Sequence, residues 1–121
     1  MSGIDMTVRK AGTDNKITII KVAGSLDAHT VPAFEAKMNE ILDSGNFVVL
    51  IDAEDINYIS SAGLGVFMSI LDTVEENNGD LSVMKVTEQF AKVFAMMKFD
   101  DLFSSYANEE EAVADIMSKI S

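Results

Sequence analysis

Seven consecutive residues, Phe47 to Ala53 (FVVLIDA), contain no glycine, proline or asparagine, and a helical pattern lies on either side of them. The run is too short for a helix of its own and lacks the alternation of a strand with one wet face. It reads as a central strand buried on both sides. A strand of that kind needs cover above and below, which points to an α/β fold with a parallel sheet.

The neighbouring segments agree. Met6 to Lys10 alternates along one face, the turn-forming AGTDN follows, and the β-branched run KITIIKVAG completes an antiparallel hairpin. A first helix is expected from Thr30 as N-cap, with Pro32 in its first turn, Phe34, Met38, Ile41 and Leu42 at helical spacing, and Gly45 as its stop. A second runs from Ser61 to about Asn77, closed by NNGD, and LSVMKV reads as the next strand. Thr87 opens a third helix with Phe90, Val93, Phe94 and Met97 on its apolar side. LFSSY reads as a short edge strand. A last helix follows Asn108, with acidic residues in its first turn and a stripe of Val113, Ile116, Met117 and Ile120.

The expected fold is therefore a mixed, mostly parallel sheet opened by an antiparallel hairpin and covered by about four helices. No repeat or linker interrupts the pattern, so residues 1–121 are expected to form a single domain.

Charge narrows the partners. Nine basic residues stand against 20 acidic ones, for a net charge of -11, which opposes nucleic acid and anionic membrane alike. With no cysteine, thiol nucleophiles and disulfide frameworks are excluded. The N-terminus MSGIDMTVRK has no signal-peptide character and no apolar run approaches a membrane span, so a cytoplasmic location is expected.

The stretch YISSAGLGVFM (Tyr58 to Met68) carries the chemistry, because loops at the carboxyl ends of parallel strands collect functional groups. Ser60 or Ser61 can cap the helix that begins there. Capping leaves Gly63 and Gly65 unexplained, since each costs about 1 kcal/mol against alanine inside a helix. Either they let the helix pack tightly on the sheet, or they leave its start bare for a partner.

Known catalytic patterns do not fit. SAGLG is not a nucleophile elbow, and no phosphate-binding glycine loop is present. A triad would need His29, the single histidine, between Ser61 and a carboxylate. Asp27 is a poor orienter because it lies two residues from His29 in extended chain. Asp52, Glu54 and Asp55 suggest a phosphoryl-accepting strand end. A receiver domain, however, would carry paired acids at the end of its first strand, where this chain has RKAGT. The DAED segment reads as a solvated loop, and neither an active site nor a cofactor is expected.

Two segments resemble the STAS domain of the anti-sigma-factor antagonists. GSLDAHTVPAFEAKM (Gly24 to Met38) is similar to the family's G-x-[LI]-D-x-x-T approach to its first helix. VVLIDAEDINYISSAGLGVFM (Val48 to Met68) is similar to its apolar strand, [DS]-S-[SAT]-G-[LI]-G motif and second helix. The resemblance spans the whole order of elements. It implies a phosphoprotein switch rather than an enzyme: Ser61 takes a phosphoryl group from an anti-sigma factor that is itself a serine kinase of histidine-kinase-like ATPase fold. The unphosphorylated form would bind that kinase and release a sigma factor, and a metal-dependent serine phosphatase would reset the switch. The implied partner surface is Asp27, Ser60, Ser61, Ala62, Gly63, Leu64 and Gly65, with Ser60 as a second acceptor. Two other readings of such a domain are a scaffold whose serine is never modified and a carrier of a nucleotide or lipid.

Overall fold

The structure is a computed structural model and describes residues 3–120. Strands β1 (Ile4–Ala11) and β2 (Ile17–Leu26) form the expected hairpin around a 3-10 turn at Thr13–Asn15. Helix α1 (Val31–Asp43), strand β3 (Val48–Ile59), helix α2 (Ser61–Glu76), strand β4 (Asp80–Met84) and helix α3 (Glu88–Met96) follow. A second 3-10 turn at Phe99–Asp101 leads to strand β5 (Ser104–Tyr106) and helix α4 (Glu109–Ile120). The spatial order of the sheet is the chain order, β1-β2-β3-β4-β5, antiparallel between β1 and β2 and parallel elsewhere.

That order decides where the helices go. Each parallel connection crosses over right-handed, and all three crossovers step in the same direction, so α1, α2 and α3 fall on one face. Helix α4, which leads to no further strand, is free to cover the other. The core accordingly divides in two. Val49 and Ile51 of β3 pack with α1, α2 and α3, whereas Leu50 packs with Ile17, Ile19, Met84, Ala112 and Ile116 beneath α4. The central strand is buried on both faces, as its unbroken apolar run requires.

The ends of the elements show why the boundaries lie where they do. Helix α1 stops at Gly45, whose φ of 86° lets its N-H reach Leu42 O while Asn46 N-H reaches Ile41 O. Thr87 caps α3 by accepting from Phe90 N-H at 3.2 Å, and Asn108 accepts from Glu111 N-H at 2.9 Å at the start of α4.

Three expectations are corrected. Strand β3 does not stop at Ala53 but continues to Ile59, so the DAED segment is strand rather than solvated loop, and Asp52 is buried. Thr30 occupies the N-cap position of α1 without capping through its side chain; Asp27 accepts the N-H groups there instead. Met97 lies beyond α3 and is 52% exposed, so the apolar side of that helix ends with Phe94.

On the three-helix face the phenylalanines form one cluster around Phe67. Its ring centroid lies 5.7 Å from Phe34, 6.1 Å from Phe90, 5.7 Å from Phe94 and 6.0 Å from Phe103. One side chain therefore joins α1, α2, α3 and the segment before β5. Phe67→Ala should cost about 3–5 kcal/mol in a denaturant titration, because no neighbour can collapse into the space without leaving another.

Helix α4 is tied at both ends. Arg9 on β1 holds Glu109 with a two-pronged bond, and Lys119 donates to Ser104 Oγ at 3.0 Å and to Tyr106 OH at 3.1 Å. The bond from Arg9 holds the Glu109 carboxyl below the usual glutamate range. A depressed carboxyl stabilises the fold above its unfolded value and loses that contribution as pH falls through the folded one. Stability should therefore decline on that acid limb, and Glu109→Gln should flatten it in thermal melts run across acid pH.

Candidate functional site

The site is built where β2 and β3 end side by side. Their pairing runs to Ser25↔Tyr58 and Leu26↔Ile59, and Ser60 N-H then donates to Leu26 O at 2.8 Å as a last rung. The register shifts twice on the way, between Lys21 and Ala23 and between Gly24 and Ser25. Each shift is a bulge that inserts an extra residue in β3 and turns the strand. The bulges let Glu54 and Asp55 stay exposed beside Lys21 while Ile56 and Ile59 return to the core. The hydrogen bond to Asp55 is the main cause holding Lys21 above the usual lysine value.

Because β4 pairs only as far as Asp52↔Met84, the last residues of β3 project past it, and the start of α3 packs against this extension. A narrow cleft remains there, walled by Tyr58, Ile59, Thr87 and Gln89.

The turn after β2 is braced from inside. Asp27 Oδ1 accepts His29 N-H at 2.9 Å and Thr30 N-H at 3.1 Å, and Asp27 O accepts Val31 N-H at 2.8 Å. Buried Thr30 donates from Oγ1 to Ser25 O at 2.5 Å and accepts Asp27 N-H at 3.0 Å. The residues from Asp27 to Thr30 thus form a fixed shoulder next to the start of α2.

Helix α2 begins with Ser60 in extended conformation, its Oγ accepting Gly63 N-H at a long 3.5 Å. The first intrahelical bond is Leu64 N-H to Ser60 O at 3.0 Å. The N-H groups of Ser61 and Ala62 precede that bond and lie at the positive end of the helix. Ser61 is exposed and Ala62 half-buried.

The two glycines divide. Gly63 is buried, and a Cβ there would lie 3.0 Å from Leu26 O and 3.0 Å from Ile59 Cγ1, whereas a Cβ at Gly65 would meet nothing within 4 Å. Gly63 therefore lets α2 seat directly on the strand ends, and the expectation that it leaves a bare face for a partner is corrected. Leu64, 4% exposed, also faces inward.

Of the residues expected at the site, the structure brings Asp27, Ser60, Ser61, Ala62 and Gly65 to one surface and turns Gly63 and Leu64 into the core beneath it. Tyr58, 48% exposed, stands on the strand extension at the cleft with Thr87 and Gln89. Strand alternation would have put Tyr58 on the face of buried Ile56; the second bulge, which the sequence does not mark, turns it outward.

The His29 relay weighed from the sequence does not assemble. The Asp27 carboxylate is occupied by backbone N-H groups, so no relay from Asp27 through His29 to Ser61 forms. Asp52 is buried on the α4 side, with Oδ1 accepting Glu54 N-H at 3.1 Å and Oδ2 facing Lys85 Nζ at 3.9 Å. Among the described residues no acidic and histidine side chains are grouped to hold a metal ion, and no helix is long and apolar enough to cross a membrane.

What the surface does offer is an unencumbered serine at a helix start held rigidly on the sheet. The sequence model of the STAS domain matches residues 8–112, the span that builds this sheet and site. The chain belongs to the STAS domain family. An anti-sigma-B factor antagonist of Staphylococcus aureus is 29% identical over 90 residues, covering 74% of this STAS domain chain and 83% of the relative. An anti-sigma factor antagonist from Mycobacterium paratuberculosis has the same fold, with a TM-score of 0.85 at 17% identity over 96% of both chains. The Bacillus cell fate determinant SpoIIAA in its phosphorylated form aligns with a TM-score of 0.72 at 20% identity, over 93% of this chain and 99% of that one.

The contrast between the two glycines of the STAS motif is measurable. Gly63→Ala should destabilise the domain by about 1–3 kcal/mol, because the methyl meets backbone that cannot withdraw. Gly65→Ala, in open space within the same helix, should stabilise it by about 0.4–1 kcal/mol. Urea titrations of the two variants test both signs.

Proposed function

We propose that this STAS domain is an anti-sigma-factor antagonist, working in the cytoplasm as a single binding module whose affinity is set by phosphorylation of Ser61. The unphosphorylated surface of Asp27, Ser60, Ser61, Ala62 and Gly65 docks an anti-sigma factor that is a serine kinase, and the sigma factor is released. The kinase transfers the γ-phosphoryl group of ATP to Ser61 Oγ, the hydroxyl proton leaves to base or solvent, and ADP is formed. A metal-dependent phosphatase returns the serine by hydrolysis, releasing inorganic phosphate.

The observation that carries this reading is the placement of Ser61, exposed at the first turn of a helix that is seated on Leu26 and Ile59 through Gly63 of the same turn. A phosphate there gains the helix dipole and nearby N-H donors, so the fold tolerates it. The same phosphate adds about -1.5 to -2 charges in the middle of the docking surface and blocks the partner by repulsion and bulk. The names of the curated relatives and the existence of SpoIIAA in a phosphorylated form support the assignment.

The test begins with capture of the partner ATPase from a lysate of the source cells, identification by mass spectrometry, and incubation of the pair with ATP. One phosphoserine at Ser61, stable to hydroxylamine, is expected. Ser61→Ala should bind without being modified. Ser61→Asp should lose most partner binding while its melting temperature stays near that of the unmodified domain, since a carboxylate at a helix start gains about 0.3–1 kcal/mol. A hydroxylamine-labile acyl phosphate at Asp52 would overturn the reading, as would undiminished binding by Ser61→Asp.

A further inference from the structure

The two edges of the sheet are unequal. β5 spans three residues, whereas β1 spans eight, contains no proline, and pairs with β2 along its whole length on one side only. Among the described residues no strand lies along its other side, which is open from Asp5 to Ala11, and Val8 on it is 41% exposed. A long open edge of this kind is a template for another strand.

We propose that two copies of this chain pair edge to edge through β1, antiparallel about a two-fold axis at Thr7, joining their sheets into one.

The register follows from symmetry and charge. In a continuous sheet the two-fold axis stands perpendicular to the sheet, and residues opposite one another share a face. The registers that meet this condition and pair most of the strand are centred on Met6, Thr7 or Val8. Centring on Met6 sets Asp5 against Thr7 and leaves Arg9 without an opposite charge. Centring on Val8 sets Met6 against Lys10 and Asp5 against Ala11. Only the register centred on Thr7 places Asp5 against Arg9 of the other copy, twice by symmetry, on the α4 side of the sheet. The same register places Met6 against Val8, also twice, on the three-helix side, where Met6 packs against the main core and Val8 stands exposed beside Ile20. Opposite charges and apolar pairs across strands are each favourable, and here one register supplies both, with Ile4 set against Lys10 only at the ends of the paired stretch.

The groups are available. Asp5 is exposed and has no ion-pair partner among the described residues. Arg9 gives two nitrogens to Glu109 and retains further N-H donors on its guanidinium. Repulsion between copies is also least here: a chain of net charge -11 carries Arg9, Lys10, Lys16 and Lys21 in this hairpin against Asp5 and Asp14. A single strand pair buries less than the roughly 1,600 Å² of a standard interface, so the dimer is weak and concentration-dependent.

The absence of cysteine allows a direct test, because an introduced thiol is the only one in the chain. Thr7→Cys, Met6→Cys and Val8→Cys are each exposed to a mild oxidant at about 100 µM protein, a range in which a small interface associates. Only Cys at the two-fold axis faces its own copy, so Thr7→Cys should form the disulfide dimer about tenfold faster than the other two. Adding Asp5→Arg to Thr7→Cys should slow it to their rate, and adding Arg9→Asp as well should restore it. Sedimentation equilibrium of the unaltered chain should show a dimer growing with concentration. Equal rates at the three positions, a maximum at Met6 or Val8, no response to Asp5→Arg, or a monomer at every concentration would each overturn the proposal.

Discussion

The structure depends most on one pairing, that of β2 with β3 along their full length. The two strands stay hydrogen-bonded from Thr18↔Val49 to Leu26↔Ile59, well past the point where β4 ends, and the rung from Ser60 N-H to Leu26 O carries the contact to the N-cap of α2. Everything at the carboxyl end of the sheet takes its position from that rung. The Asp27 shoulder begins at the next residue of β2, α2 at the next residue of β3, and Gly63 rests on the same Leu26 carbonyl. Two chain segments distant in sequence are thereby held at a separation set by a hydrogen bond rather than by loop conformation.

This gives the proposed switch its physical character. The residues that would meet a partner are not on a lid or hinge; they lie on a helix start and a braced turn, both bonded to the sheet. A charge added at Ser61 then has no bistable element to move and acts where it stands, through the electrostatic and steric match of the surface itself. Under that proposal, partner discrimination would fall to the residues around the serine, of which Gly65 is exposed and Asp27 half-buried.

Much of the fold was legible because its signals are local. The uninterrupted FVVLI run, the apolar spacing of α1 and α4, the caps at Thr87 and Asn108 and the stop at Gly45 each report the structure of their own few residues. The extension of β3 was not legible for the opposite reason. Its acids look like a turn unless the bulges are known, and those arise from pairing with β2, some 30 residues away in the chain. Gly63 and Gly65 look alike in sequence. Only the position of Leu26 beneath one of them shows that the first is a packing requirement and the second is open space. Asp27 rather than Thr30 accepts the N-H groups before α1 on similar grounds, since the Ser25 carbonyl that draws Thr30 inward belongs to the preceding strand's end.

The unequal cover of the sheet has a consequence for motion. Three helices and the phenylalanine cluster close one face, while the other is closed by α4 alone over a small apolar cluster, fastened at its two ends by Arg9 with Glu109 and by Lys119 with Ser104, Tyr106 and Asp80. Lifting of α4 would break only the smaller of the two apolar clusters, a sub-global opening of the kind that costs less than global unfolding. It would bare Ile17, Ile19, Leu50 and Met84 and leave β2, β3 and α2 paired as they are. The domain thus has a fragile side and a durable side, and the serine surface stands on the durable one, so protease attack or amide exchange beginning at α4 proceeds for some distance before the docking surface registers it.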